Sequence, residues 1–107
     1  MTHATVFADL AAELPVPDDG TLSRTLYQDE DLRLVGFAFA AGEELSSHAS
    51  ALSVAIQVLQ GRLQLTLGEE PAELVAGGWV HMPPHLPHAV TALEPTVMLL
   101  TMVKPHS

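Results

Sequence analysis

The strictest pattern in the chain is the alternation of Arg62-Leu-Gln-Leu-Thr-Leu67. Leu63, Leu65 and Leu67 fall on one face and Arg62, Gln64 and Thr66 on the other, the period of a half-buried strand. Leu32 to Ala40, carrying Leu34, Val35, Phe37 and Phe39, reads as a strand as well. Ala51 to Leu59 is an apolar run broken only by Ser53 and Gln57, which predicts a buried strand. Further strands are predicted over Thr21–Gln28, Ala72–Val75, Trp79–Met82, His88–Leu93 and Thr96–Lys104. Asp29-Glu-Asp31, Gly42-Glu-Glu44, Gly61, Gly68-Glu-Glu-Pro71, Gly77-Gly78 and Glu94-Pro95 supply the turns between them. One stretch has a different period. In Thr5 to Leu14, Val6, Leu10 and Leu14 recur at fours with Thr5 as a cap, which predicts a short helix ended by Pro15-Val-Pro-Asp-Asp-Gly20. Short strands between Gly/Pro turns every 8–12 residues or so indicate a sandwich or barrel, so the expected class is all-β with one N-terminal helix.

Length and composition narrow this further. A chain of 107 residues makes one domain: residues 1–31 form the helix and an edge strand, and residues 32–104 the barrel core. With 48% apolar and 16% charged residues it is compact rather than disordered. There is no cysteine, which excludes disulfides, cysteine-zinc sites and thiol chemistry. Thirteen acidic against four basic residues give a net charge of −9, a surface that repels phosphate backbones, so no nucleic-acid partner is expected. No apolar run reaches the ~18 residues of a membrane span, and no basic region precedes an apolar core at the N-terminus. The expectation is a cytoplasmic protein without a membrane partner.

Chemistry concentrates in Gly77-Gly-Trp-Val-His-Met-Pro-Pro-His-Leu-Pro-His88, which packs His81, His85 and His88 among three prolines. Helical spacing would align the three imidazoles, but Pro83, Pro84 and Pro87 forbid a helix. The stretch therefore predicts a short strand, Trp79–Met82, and a rigid turn that delivers His88 to the next strand. A histidine held on such a turn suits a ligand or an acid/base group.

Two spaced motifs can be traced. Gly42 is followed after five residues by His48, then Ser50, Val54 and Gly61. Gly77 is followed by Pro83, His85 and His88. In this spacing the chain resembles a small single-domain cupin, a double-sheet jelly-roll barrel, over about Leu32 to Val103. The resemblance implies that His48, Ser50, Val54 and His88 occupy the positions where metal-binding cupins place two histidines, a glutamate and a third histidine. Here Ser50 and Val54 replace two of those ligands, and His85 stands where the second motif has a glycine.

From the resemblance, His48 and His88 face each other across the barrel interior. Three roles stay open for them: ligands of one divalent ion (Zn, Ni, Mn or Fe), a general acid/base with its partner, or buried histidines bonded to water and backbone. His81 and His85 are the candidates to complete a metal shell, whereas His3 and His106 are expected to be solvated. Ser50, Val54, Ile56, Met82, Phe39 and Met98 are the candidate lining of a ligand pocket. The expected function is binding of a small molecule, with or without a divalent metal. A metal-free sensor or carrier stands as one alternative and a metal-dependent oxygenase or isomerase with a reduced ligand set as the other. The resemblance also implies a homodimer, with Thr21–Gln28 as the edge or exchanged strand.

Overall fold

The computed structural model of the chain describes residues 3–105, so His106 lies outside the described residues. The strands are β1 (Thr21–Gln28), β2 (Leu32–Phe39), β3 (Glu44–His48), β4 (Ser53–Gln60), β5 (Arg62–Leu67), β6 (Glu70–Val75), β7 (Trp79–Met82), β8 (His88–Ala92) and β9 (Thr96–Val103). They pair antiparallel into a five-stranded sheet, β1-β2-β9-β4-β7, facing a four-stranded one, β3-β8-β5-β6. This is the all-β, double-sheet jelly-roll architecture.

Alternation decides what lies between the sheets. Val54, Ile56 and Val58 of β4, Leu63 and Leu65 of β5, and Val90 and Ala92 of β8 point inward, where they meet Phe39, Met82 and Met98 in one buried cluster. Each large side chain fully buried this way contributes about 1.5–3 kcal/mol. A second cluster explains why 51–59 reads as almost continuously apolar. The opposite face of the five-stranded sheet is not bare: Leu14, Ala38, Val97 and Leu99 are buried there, with Leu10, Val16 and Leu59 packed against them.

That outer cluster also explains why the helix expected over Thr5 to Leu14 does not form. The segment makes only a four-residue 3-10 turn, Leu10–Glu13, and Asp9 at its start caps no backbone N–H with its side chain. A helix of about ten residues is marginal in water without tertiary support. Here the tertiary contacts favour a different shape. Leu14 is 1% exposed and lies so close over Gly36 of β2 that a Cβ at that glycine would be 2.5 Å from a Leu14 methyl. Pro15 and Pro17 then disfavour helix at the residues before them, and Arg24 Nη1 ties the turn to β1 by donating to the Glu13 carbonyl at 2.6 Å. The spacing of fours marks Leu10 and Leu14 as anchors, while Val6 is 80% exposed.

The turns differ from expectation in two places. Glu44, expected in a turn, opens β3, a strand that the sequence pattern did not predict. The Gly68–Pro71 turn is shorter than the sequence suggests, because β6 already begins at Glu70, with Pro71 opposite Thr66. Proline, lacking an N–H, is tolerated there because β6 lies at the sheet edge.

One end of the barrel is closed by the β4–β5 and β8–β9 turns. Gly61 has φ +91°, and a Cβ there would collide with the Pro95 carbonyl oxygen and the Thr96 hydroxyl. Buried Thr96 bridges the two turns: its Oγ1 accepts from the Arg62 N–H at 3.0 Å and donates to the Glu94 carbonyl at 2.7 Å. No helix among the described residues is long and apolar enough to cross a membrane.

Candidate functional site

The opposite end stays open, and the polar residues of the site, with Val54, come from where strands begin or end there. His48 is the last residue of β3, Ser50 lies in the connection to β4, Val54 is near the start of β4, and His88 starts β8. Together with Phe37, Leu45, Ala49, Leu100 and Met102 they line a cavity of about 350 Å³.

The two histidines are cross-strand partners. His48 pairs with His88 in the β3–β8 ladder, and their ring centroids are 4.4 Å apart with the planes at 59°. Their meeting depends on an irregularity. Glu44 pairs with Thr91 and Leu45 with Val90, but the register slips before His48. Had the first register continued, Ser47 would stand opposite His88. A bulge of this kind adds one residue and re-aims those beyond it, and here it turns His48 onto the same face as inward-facing Leu45.

Each ring is oriented by the backbone two residues before it, within β3 for His48 and in the turn that enters β8 for His88. His48 Nδ1 lies 2.9 Å from the Ser46 carbonyl and His88 Nδ1 3.1 Å from the Leu86 carbonyl. A carbonyl can only accept, so the neutral rings carry their proton on Nδ1 and leave Nε2 as an acceptor. His88 is 3% exposed, yet no buried side-chain nitrogen or oxygen among the described residues lacks a partner. Its Nε2, for which no protein bond is found, therefore faces open space, and that space is the cavity.

The turn before His88 is held from both sides. The His85 N–H donates to the Ser50 carbonyl at 2.6 Å, and the Gly68 N–H to the Pro87 carbonyl at 2.7 Å. His85 occupies the motif position where glycine is expected and adopts φ +71°, a left-handed conformation that only glycine adopts at no cost.

The structure distributes the candidate residues unevenly. His48, His88, Ser50 and Val54 come together on the cavity wall. Ser50 is not on a strand face with His48, since β3 stops at His48; its Oγ instead accepts the Leu52 N–H at 3.0 Å in a local turn. Phe39, Ile56, Met82 and Met98 are corrections: all four are at most 1% exposed and belong to the buried core. They share the inward face; depth separates Phe39 and Met98 from the opening, whereas Met82, opposite Val54, and Ile56, opposite Leu100, are covered at the level of the cavity wall itself. Val54 pairs with Met102 at the open end, whereas Val58 and Met98 pair two steps further in. Phe37, Leu100 and Met102 line the cavity in their stead, with Leu45 and Ala49, which strand alternation had not marked.

His81 and His85 do not join the pair. His81 alternates to the outer face of β7, where its Nε2 is 2.6 Å from Ser53 Oγ and its ring stacks near Trp79 at 6.5 Å. His85 is exposed on the turn and is not part of the cavity wall. Among the described residues no group of three or more His, Asp or Glu side chains gathers in a metal-binding arrangement.

A second hollow of about 370 Å³ lies between the N-terminal segment and the β1–β2 turn, lined by His3, Thr5, Phe7, Tyr27 and Asp29 among others. Its two strongest polar groups are already engaged with each other, Tyr27 OH donating to Asp29 Oδ2 at 2.6 Å. That bond, reinforced by the Leu32 and Asp31 N–H groups, holds the Asp29 carboxyl below the usual carboxylate range and raises the Tyr27 phenol. The open barrel end, with two imidazoles on its wall whose Nε2 atoms have no protein partner, is the stronger site.

Comparison with known proteins agrees with the geometry. Residues 37–104 match the family model described as a cupin domain. A conserved protein of unknown function from Streptococcus pyogenes is 36% identical over all of this chain and 93% of its own, with a TM-score of 0.86. A cupin superfamily protein from Desulfitobacterium hafniense is 25% identical, covers 90% of this chain and 88% of its own, and has a TM-score of 0.84. An RmlC-like cupin from Desulfovibrio desulfuricans is also 25% identical, over 97% of this chain and all of its own, with a TM-score of 0.83. No curated protein matches the chain.

Proposed function

The chain belongs to the cupin domain family, and on that premise we propose that its barrel mouth binds a compact, mostly apolar small molecule against His48 and His88 without a resident metal. The observation that carries this reading is the cavity itself. Its wall of Phe37, Leu45, Val54, Leu100 and Met102 is apolar, and two imidazoles converge on it with Nε2 uncommitted. An apolar pocket with a few convergent polar groups is the usual form of a small-ligand site.

The donor set argues against a resident Zn, Ni, Mn or Fe. Such ions take three or more protein ligands from imidazole and carboxylate. Here Ser50 offers a hydroxyl already hydrogen-bonded to backbone, Val54 offers hydrocarbon, and no carboxylate balances the ion's charge at the cavity wall. A metal-dependent oxygenase or isomerase with a reduced ligand set would need water or substrate to supply the missing donors.

The test is equilibration of untagged protein with each of the four metals, desalting and elemental analysis, alongside NMR titration with small aromatic molecules. The expected result is negligible retained metal, with ligand-induced shifts at Phe37, Met102 and the two imidazoles. Near one metal per chain, lost in both His48→Ala and His88→Ala, would overturn the metal-free reading. As part of the same proposal the chain acts as a homodimer, which would cover the open edge that β1 presents; a clean monomer by light scattering at high concentration would refute it.

A further inference from the structure

We infer that the barrel mouth selects ligands whose polar head carries paired N–H or O–H donors, and that it rejects carboxylates. The inference rests on the pocket reading above and extends it to a ligand class. Both Nδ1–H donors are consumed within the protein, by the Ser46 and Leu86 carbonyls. What each neutral imidazole presents to the cavity is therefore an acceptor. The two rings that carry these acceptors are neighbours, with centroids 4.4 Å apart and planes at 59°. Against them the wall's other polar side chain is Ser50, whose hydroxyl oxygen is occupied by the Leu52 N–H.

A head group with two donors satisfies both lone pairs at once. An amidinium or a vicinal aromatic diol does this with an apolar ring behind it, of a size that a cavity of about 350 Å³ accommodates. A head with no donors leaves an imidazole acceptor stripped of water; with His88 only 3% exposed, bulk solvent cannot repair the loss. An unmet buried acceptor weakens binding by roughly tenfold or more. A carboxylate does worse, because it sets acceptor against acceptor, and the net charge of −9 repels it at long range. Selection of this kind, by groups left unpaired in the wrong ligand, is sharper than selection by apolar fit.

Four probes on one ring separate the terms: benzamidine and catechol carry paired donors, toluene carries none, and benzoate is the carboxylate matching benzamidine in shape. They are titrated at about pH 8 and ~0.15 M salt, following the NMR signals of Phe37, Met102, His48 and His88. Expected is binding of benzamidine and catechol about tenfold or more above toluene, with no saturable benzoate binding. Catechol against toluene removes net charge from the comparison, so long-range attraction of a cation cannot mimic the result. In His48→Ala, which alters an exposed strand end, the advantage of catechol over toluene is expected to shrink. If benzoate or toluene saturates the same signals as tightly as catechol, donor selection is wrong while the pocket stands. If none of the four moves these signals, the inference falls together with the pocket reading.

Discussion

The two ends of this barrel are built from the same strands and do opposite things. On β4, Val58 is sealed in the core while Val54 borders the cavity; on β9, Met98 is buried and Met102 lines the opening; on β2, Phe39 is covered and Phe37 is half-exposed. At the closed end the turns lock onto one another through Gly61 and Thr96, with the Thr96 hydroxyl engaged as both acceptor and donor. At the open end the chain leaves acceptors without protein partners and tolerates a strained residue, His85. Backbone strain and uncommitted polar groups collect at the end where we propose the binding site, and tight packing elsewhere sustains them.

Several measurements would sharpen or break that contrast. The largest effect is expected for Phe39→Ala, which empties the filled end and should destabilise the protein by about 3–5 kcal/mol in denaturant unfolding. Phe37→Ala, two residues away on the same face, should cost much less stability and change ligand titrations instead. Equal destabilisation by the two would erase the distinction between the ends. Gly61→Ala should cost at least about 2 kcal/mol, since it adds a left-handed strain to a backbone collision; a neutral result would mean that the closed end is looser than its contacts imply.

At the open end the sign should reverse. His85→Gly relieves a left-handed residue and should stabilise by up to about 1 kcal/mol, the strain relieved less the extra entropy of glycine in the unfolded chain. Ligand titrations should be unchanged, because His85 is not on the cavity wall. Altered binding in that variant would bring His85 back into the site.

The smallest effect belongs to neither end. Asp29, at the β1–β2 turn, has its carboxyl held below the usual range, first by the Tyr27 hydroxyl and then by the Leu32 and Asp31 N–H groups. Its folded-state value is depressed, so its contribution is fully present above the ordinary carboxylate value of about 3.9 and fades as pH falls through the folded value. Thermal melts of wild type and Asp29→Asn should therefore converge on acidification below about pH 4. A gap that stays constant with pH would remove the carboxylate from the account.

How much of this could be read beforehand differs residue by residue. The pattern of strands and turns marked the chain as all-β, and alternation put Leu63, Leu65 and Leu67 on one face of β5, because the strand period of two is a local property. The almost continuous apolar run of β4 left its inward face open. Motif spacing was enough to single out His48 and His88 as the pair, and Gly61 as a turn; that a side chain at Gly61 would collide with Pro95 and Thr96 is seen only in the fold. Three matters were left to the tertiary structure. Depth along the barrel separates Val54 from Val58 and Met102 from Met98, and it follows from pairing between distant strands. The slip in β3 brings His48 rather than Ser47 opposite His88, and it is visible only in the ladder with β8. Leu10 and Leu14 carry a helical spacing, but the outer sheet face holds them in a 3-10 turn and an extended strap. A sequence specifies the face of each residue through its neighbours; register and cover come from contacts far along the chain, and those emerge only when the fold closes.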